Sequence, residues 1–107
     1  MKKKIYIAGK VTGLPQDEVS IKFANAENDL EQKGFNPVNP IHVVCNVNAT
    51  WQEAMKKCIA ALMDCDAVFV LPDALQSKGA KLELKLARKM GIPVFESGWL
   101  LSKHFEK

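Results

Sequence analysis

The sequence lacks several features that would place it in a membrane or a secretory pathway. Its apolar runs are all far shorter than the ~20 residues that a membrane span requires. The N-terminal lysines lead directly into a strand pattern, without the apolar stretch of a signal peptide. Its three cysteines, Cys45, Cys58 and Cys65, show neither CxxC nor Cys/His spacing. We therefore expect free thiols in the cytoplasm, no metal site and no membrane partner.

The common nucleotide and triad motifs are also missing. A lysine does not follow a GxxxxG loop, and the first strand is not followed by GxGxxG. Neither His42 nor His104 has a motif partner. These absences argue against nucleoside triphosphate hydrolysis, dinucleotide binding and a His-based triad, and no cofactor is expected. The net charge of +3 includes a solvated run, Lys2 to Lys4, so a nucleic acid polymer is not an expected partner.

The remaining pattern is that of one globular α/β domain covering residues 1–107. Hydrophobic residues make up 48% and charged residues 25%, which is typical of a globular protein. Strand and helix patterns alternate along the chain. Strands are predicted over 5–8, 35–38, 67–71 and 92–95, and helices over 18–33, 51–63, 79–90 and 99–105. The predicted fold class is a three-layer flavodoxin/Rossmann-like sandwich with a parallel sheet of about four strands.

Local signals set several boundaries. Gly34 stands where a helix end needs a glycine, and Thr50 with Glu53 fits a capping box at the start of the second predicted helix. Pro37 favours an edge position or a bulge, instead of a central position, for the second strand. The polar segment 39–49, with Pro40 and three asparagines, is interpreted as a long loop over the sheet.

In a parallel sheet, the loops that follow the strands meet at one edge. The segments 9–15, 39–50 and 72–79 should therefore border one crevice. They would bring together Tyr6, Lys10, Thr12, Asp73, Ser77 and Glu83. A sheet this small has exposed edges, so we expect a homo-oligomer, a dimer or larger.

The junction between the third strand and its helix suggests a chemistry. Ser77 and Gly79 form a turn whose backbone amides can bind a phosphate or a sugar hydroxyl. Glu83 lies in the second turn of the following helix. Carboxylates act as nucleophiles in glycosyl transfer, where a facing anion stabilises the oxocarbenium-like transition state. Together these features predict cleavage of an N-glycosidic bond.

Four segments carry a resemblance to a known superfamily: Ile5-Tyr6-Ile7-Ala8-Gly9, Cys65-Asp66-Ala67-Val68, Ser77-x-Gly79-x-x-x-Glu83-Leu84 and Gly91-Ile92-Pro93-Val94. Together they resemble the nucleoside 2-deoxyribosyltransferase superfamily, and more closely its small uncharacterised bacterial and phage branch. The Ser-x-Gly-x-x-x-Glu element also occurs in the related 2'-deoxynucleoside 5'-phosphate N-hydrolases. The resemblance spans nearly the whole chain and implies the fold predicted above.

The resemblance also implies roles for individual residues. Glu83 would attack C1' of the deoxyribose, Tyr6 would orient that carboxylate, and Asp73 would contact the base and manage its proton. Trp51 or the long loop would form a wall of the base pocket. The positions that match phosphate- or sugar-facing residues of the hydrolase branch are Ser77, Gly79 and the loop from Lys10 to Gly13, which includes Thr12; Gly9 is a further predicted substrate-binding residue. The implied partner is a small-molecule nucleoside or nucleoside 5'-monophosphate.

The chain departs from this pattern at Cys58, where these enzymes usually carry an aspartate, and at Lys85, where a small residue is common. Three interpretations therefore stay open. The first is an N-glycoside-cleaving enzyme that transfers or hydrolyses; the second is a nucleotide-binding module with impaired catalysis; the third is a structural or interaction domain. In the last case, Tyr6 would be a core residue, and Asp73 and Ser77 would be turn and cap residues.

Overall fold

The computed structural model describes residues 2–46 and 48–106. Its four strands are β1 (Lys4–Ala8), β2 (Asn36–Val38), β3 (Ala67–Val70) and β4 (Val94–Phe95). Its five helices are α1 (Gln16–Gln32), α2 (Pro40–Val44), α3 (Trp51–Met63), α4 (Lys78–Lys89) and α5 (Gly98–Phe105), and a single 3-10 turn, Ala74–Gln76, precedes α4.

The strands form one parallel sheet in the order β2-β1-β3-β4. This confirms the predicted α/β sandwich with four parallel strands, and it confirms the edge position of the proline-containing strand β2. The chain moves outward from β1 to β2 and then crosses back over β1 to β3. The direction of winding therefore reverses between the two central strands.

The alternation of side chains along β1 builds two separate cores. Ile5 and Ile7 face one layer, where they join apolar residues of α1 and α5, among them Phe23 and Leu101. Tyr6 and Ala8 face the other layer, where buried residues of α3 and α4 meet them: Cys58, Leu62, Ala80, Leu84 and Ala87. Since the two faces of one strand enter different cores, the molecule has three layers.

Helix α3 begins and ends as predicted. The Thr50 hydroxyl accepts a hydrogen bond from the Glu53 amide at 3.1 Å, and the Glu53 carboxylate accepts one from the Thr50 amide at 3.0 Å. This reciprocal capping box stabilises the helix start, and its bonds lower the pKa of Glu53.

The prediction of a long loop over 39–49 was wrong for residues 40–44, which form the short helix α2. The Asn39 side chain accepts a hydrogen bond from the Ile41 amide at 3.0 Å, and Pro40 occupies the first turn. An Asn-Pro pair is typical of turns, but the same two residues also suit a helix cap followed by the first helical position. The helix ends at Cys45, which has a left-handed φ of 50°.

Strand β4 begins two residues later than predicted, because Ile92 still takes part in the hydrogen bonding at the end of helix α4. The Ile92 amide donates to the Ala87 carbonyl at 2.8 Å, across Gly91 with a φ of 75°. This arrangement satisfies a carbonyl at the helix end before the sheet begins.

No helix of the described residues has the length and the apolar character needed to cross a membrane.

Candidate active site

The candidate site lies at the carboxyl ends of β1 and β3, where the direction of winding reverses. Open parallel sheets bind ligands at such a switch point, because the loops after the two strands diverge and leave a crevice. In this chain the loop after β1 contains Gly9 to Gly13, and the segment after β3 contains Asp73 and the start of α4.

A buried hydrogen bond joins β1 to α4 below this crevice. The Tyr6 hydroxyl donates to Glu83 Oε2 at 2.5 Å, and the two side chains come from residues 77 positions apart. Tyr6 is fully buried and Glu83 is 6% exposed. The fold therefore brings together the two residues for which the resemblance implies the roles of nucleophile and orienting group.

Burial sets the protonation of this pair. Loss of solvent raises the pKa of Glu83 to about 7, against the opposing effect of the hydrogen bond from Tyr6. Burial also raises the pKa of Tyr6 far above its ordinary value, and the nearby Glu83 carboxylate adds to that rise. Tyr6 consequently stays protonated and can only donate to Glu83, whereas Glu83 changes its charge near neutral pH.

Cys58 of α3 lies beside the same pair. It is 6% exposed and belongs to the core cluster that contains Tyr6. Burial raises the pKa of its thiol, while the neighbouring Tyr6 hydroxyl opposes that rise. The thiol is therefore neutral at physiological pH, and it brings no second negative charge to Glu83.

A cleft of about 420 Å³ opens next to the pair, between the starts of α3 and α4. It is lined by Thr12, Trp51, Gln52, Gln76, Ser77, Lys78 and Gly79. Four of these residues are predicted site residues: Thr12, Trp51, Ser77 and Gly79. Tyr6 and Glu83 do not line the cleft. Gly79, which lines the cleft, lies one helical turn before Glu83 on the same face of α4.

Gly79 allows α3 to approach α4 closely. A Cβ atom at this position would lie 2.9 Å from Met55 Sδ and 3.6 Å from Trp51 Nε1. A larger residue would therefore displace Met55 or fill the mouth of the cleft. Gly9 has a similar role at the end of β1, where a Cβ atom would lie 2.6 Å from Leu71 Cδ1.

The start of α4 combines a cap with a cation. The Ser77 hydroxyl accepts a hydrogen bond from the Ala80 amide at 3.1 Å, as a helix cap does. The Lys78 ammonium group lies 4.7 Å from the centre of the Trp51 ring. Among the described residues, the lining of the cleft thus has an aromatic wall and one basic residue, and no acidic residue. This composition suits an anionic ligand that carries a planar ring.

Asp73 belongs to a different hydrogen-bond network from Glu83. Its Oδ1 accepts from the Lys10 amide at 3.0 Å, and its Oδ2 accepts from Lys22 Nζ at 2.5 Å. Partial burial raises the pKa of Asp73, but the bonds from Lys22 and Lys10 outweigh it and lower the pKa below the ordinary value. At neutral pH Asp73 is an ionised carboxylate held by Lys22 of α1 and by the Lys10 amide of the loop after β1.

The structure adds residues that the sequence analysis did not single out. Lys22 stands beside the apolar stripe of α1, three residues after Val19, and a lysine next to such a stripe is a signal that its ammonium group can reach inward. Lys78 had no comparable signal, because its contact with Trp51 depends on how α3 packs against α4. In the described part of the chain, no group of three or more His, Cys, Asp or Glu side chains is placed to hold a metal ion.

Fold and site together define a parallel α/β protein with a cleft at the switch point and a buried tyrosine–glutamate pair beside it. The chain belongs to the family described as a domain of unknown function (DUF4406), whose model matches residues 3–96. The matched region includes every predicted site residue. A comparison with curated proteins found no match.

Proposed function

We propose that this protein cleaves the N-glycosidic bond of a deoxynucleoside or deoxynucleoside 5'-monophosphate, with Glu83 as the nucleophile. The observation that carries the proposal is the 2.5 Å hydrogen bond from the buried Tyr6 hydroxyl to Glu83 beside the cleft. An isolated buried carboxyl group is costly, and few structural reasons favour placing one at a ligand-binding edge of a sheet. The resemblance to deoxyribosyltransferases supports the same assignment.

The proposed reaction has two displacements. The ionised Glu83 carboxylate forms a bond to C1' of the sugar while the bond from C1' to the base nitrogen breaks, and the base leaves with the bonding electrons and takes up a proton from water. Water, or the nitrogen of a second base, then displaces Glu83 from C1'. Tyr6 holds one oxygen of the carboxylate, which leaves the other free to attack.

The environment of Glu83 fits this task at neutral pH. A carboxylate with a pKa of about 7 is a stronger base and a better nucleophile than an exposed one, and a substantial fraction is still ionised at pH 7. Asp73, in contrast, has a lowered pKa and is poorly suited to supplying a proton. We infer that Asp73 accepts a hydrogen bond from the base or holds its loop, instead of acting as an acid.

The test is to incubate the protein with the four deoxynucleosides and their 5'-monophosphates, with and without a free acceptor base. Released or exchanged base is measured by chromatography. We expect the wild type to release base, and E83A and E83Q to lose the activity by at least about a thousandfold. E31Q is the matched control, since Glu31 is exposed on α1, and it should act like the wild type. Full activity in E83Q would refute the proposal.

A second candidate function is binding of the same ligands without turnover. Two observations favour it: Glu83 does not line the cleft, and Cys58 occupies the position beside Tyr6 where the resemblance places an aspartate. A neutral thiol does not supply the negative charge that an aspartate would bring to the site. The cleft and its aromatic wall would still hold a nucleotide.

Thermal shift with the same panel separates the two functions. Binding without turnover predicts a rise in Tm that saturates with ligand, together with no released base. In that case C58D should create measurable base release, whereas C58S should not. If C58D remains inactive while it still binds the ligand, the missing aspartate is not what prevents turnover.

We also propose a cytoplasmic location and a small-molecule partner. Cys45, Cys58 and Cys65 are all free thiols, and Cys45 is exposed. Exposed free thiols are characteristic of reducing compartments.

A further inference from the structure

Three segments of the chain meet at the ammonium group of Lys22. This group donates to the Lys10 carbonyl oxygen at 2.6 Å and to Asp73 Oδ2 at 2.5 Å. The other carboxylate oxygen of Asp73 accepts the Lys10 amide at 3.0 Å. Lys22 belongs to α1, Lys10 to the loop after β1, and Asp73 to the segment after β3. We call these three residues the Lys22 clasp.

The clasp is more enclosed than an ordinary surface ion pair. The side chains of Lys22 and Asp73 are each 24% exposed, whereas the Lys4–Asp64 pair, for example, is 46% and 76% exposed. Holding a lysine side chain in one position has an entropic cost, and partial burial removes water from both charges. Stability alone is therefore a weak reason for this arrangement.

The position of the clasp points to another reason. Lys10 lies two residues before Thr12, and Asp73 lies four residues before Ser77; both Thr12 and Ser77 line the cleft. The clasp therefore ties together two chain segments that each contribute to the lining. Since Lys10 contributes its backbone carbonyl and amide, the clasp fixes the path of the loop itself.

We propose that Lys22 is a positioning residue for ligand binding: its ammonium group holds the loop after β1 against Asp73, and this sets the width of the cleft at Thr12. The proposal rests on the proposed function in treating the cleft as the substrate site. Lys22 does not touch the reacting atoms, so it acts on binding through Lys10 and Asp73.

The first test needs no substrate. K22M keeps most of the length and the apolar stem of the side chain but removes the ammonium group. Hydrogen–deuterium exchange of the segment 10–14 should become about tenfold faster in K22M, because the Lys10 carbonyl loses its hydrogen bond from Lys22 and, of the bonds in the clasp, the loop keeps just the one from the Lys10 amide to Asp73. K22R should restore most of the protection. K33M is the matched control, since Lys33 pairs with Asp29 at 2.6 Å at the end of the same helix, away from the clasp.

A double variant tests whether the residues act as one unit. K22M and D73N should each speed exchange of the segment 10–14, and K22M/D73N should be no faster than the quicker of the two single variants. Additive effects would contradict a shared clasp. Exchange in K22M that equals the wild type and K33M would overturn the proposal outright.

The second test measures the consequence for the ligand. With a deoxynucleoside monophosphate that the wild type cleaves, K22M should raise KM about tenfold and change kcat by less than about threefold, because the loss is in positioning. A large fall in kcat at unchanged KM would contradict a positioning role. If the wild type cleaves nothing, the proposed function fails, while the exchange experiments still decide whether the clasp exists.

Discussion

At the scale of single residues, Glu83 has an unusual environment for a carboxyl group. Glu83 and Asn39 are the buried polar side chains of the described residues, and Asn39 serves as a helix cap. Glu83 instead contacts the one tyrosine of the chain. Its raised pKa means that folding favours the protonated form of this side chain.

This shift predicts how stability changes with pH. Between pH 4.5 and 7 the folded protein keeps a proton on Glu83 that the unfolded chain has released. This contribution to stability is therefore fully present below pH 4.5, decreases as pH rises toward 7, and is lost above pH 7. With about 1.4 kcal/mol per pKa unit, the loss is on the order of 3 kcal/mol. E83Q cannot titrate and should lack this part of the slope.

Urea unfolding at pH 5, 6, 7 and 8 measures the effect as the difference between the wild type and E83Q. Taking the difference cancels the titration of all other groups that the substitution leaves unchanged. Parallel curves for the two proteins would show that the folded state does not raise the pKa of Glu83.

At the scale of secondary-structure elements, the close contacts of two glycines decide how the loops and helices meet. Gly9 lets the loop after β1 pass Leu71, and Gly79 lets α4 meet Met55 of α3. The two contacts differ in what can move. At Gly9 the Leu71 Cβ atom, which is fixed to the backbone, lies only 3.1 Å from the added atom, whereas at Gly79 the nearest atom belongs to the flexible Met55 side chain.

We therefore predict different effects of alanine at these positions. G9A should lower the free energy of unfolding by about 1–3 kcal/mol, because the Leu71 backbone must shift. G79A should stay within about 1 kcal/mol of the wild type, because alanine is the better helix former by about 1 kcal/mol and this offsets the displacement of Met55. Urea unfolding of both variants checks the order. A larger loss in G79A than in G9A would contradict it.

At the scale of the whole molecule, both sheet faces are covered by helices, but the edge strands β2 and β4 are short, and no strand of the described residues pairs with their outer sides. Exposed apolar side chains lie near β4 at the start of α5: Trp99 is 65% exposed and Leu100 is 45% exposed. We propose that the protein forms a homo-oligomer, as the small sheet suggested, and that this region takes part in the contact.

Sedimentation velocity tests that proposal. We expect a mass that is a multiple of the 11.9 kDa chain, and W99E/L100E should shift the protein toward the monomer. I21E is the control, because Ile21 is 61% exposed on α1, and it should leave the mass unchanged. A monomer at all concentrations would refute the proposal. An oligomer that W99E/L100E leaves intact would show that the contact between subunits lies on another surface.

Much of this architecture was predictable because it depends on local patterns. The Thr50–Glu53 capping box, the glycine after α1 and the apolar run of β3 each specify an element within a few residues. Helix α2 was missed because Asn39 and Pro40 suit a turn and a helix start equally well. The length of β4 was predicted wrongly because the Ile92 amide forms a backbone hydrogen bond at the end of α4. A backbone hydrogen bond of this kind does not depend on the residue type, so the sequence does not indicate it.

By itself, the sequence determined the alternation of strands and helices, and with it the parallel sheet and the edge at which its loops meet. It also marked Tyr6, Asp73 and Glu83 as residues near that edge. Only the tertiary structure decided their partners: Tyr6 joins Glu83 in the core, while Asp73 joins Lys10 and Lys22 in the clasp. The reason is physical, since an element's periodicity depends on neighbours along the chain, whereas a side chain's partner depends on how distant elements pack.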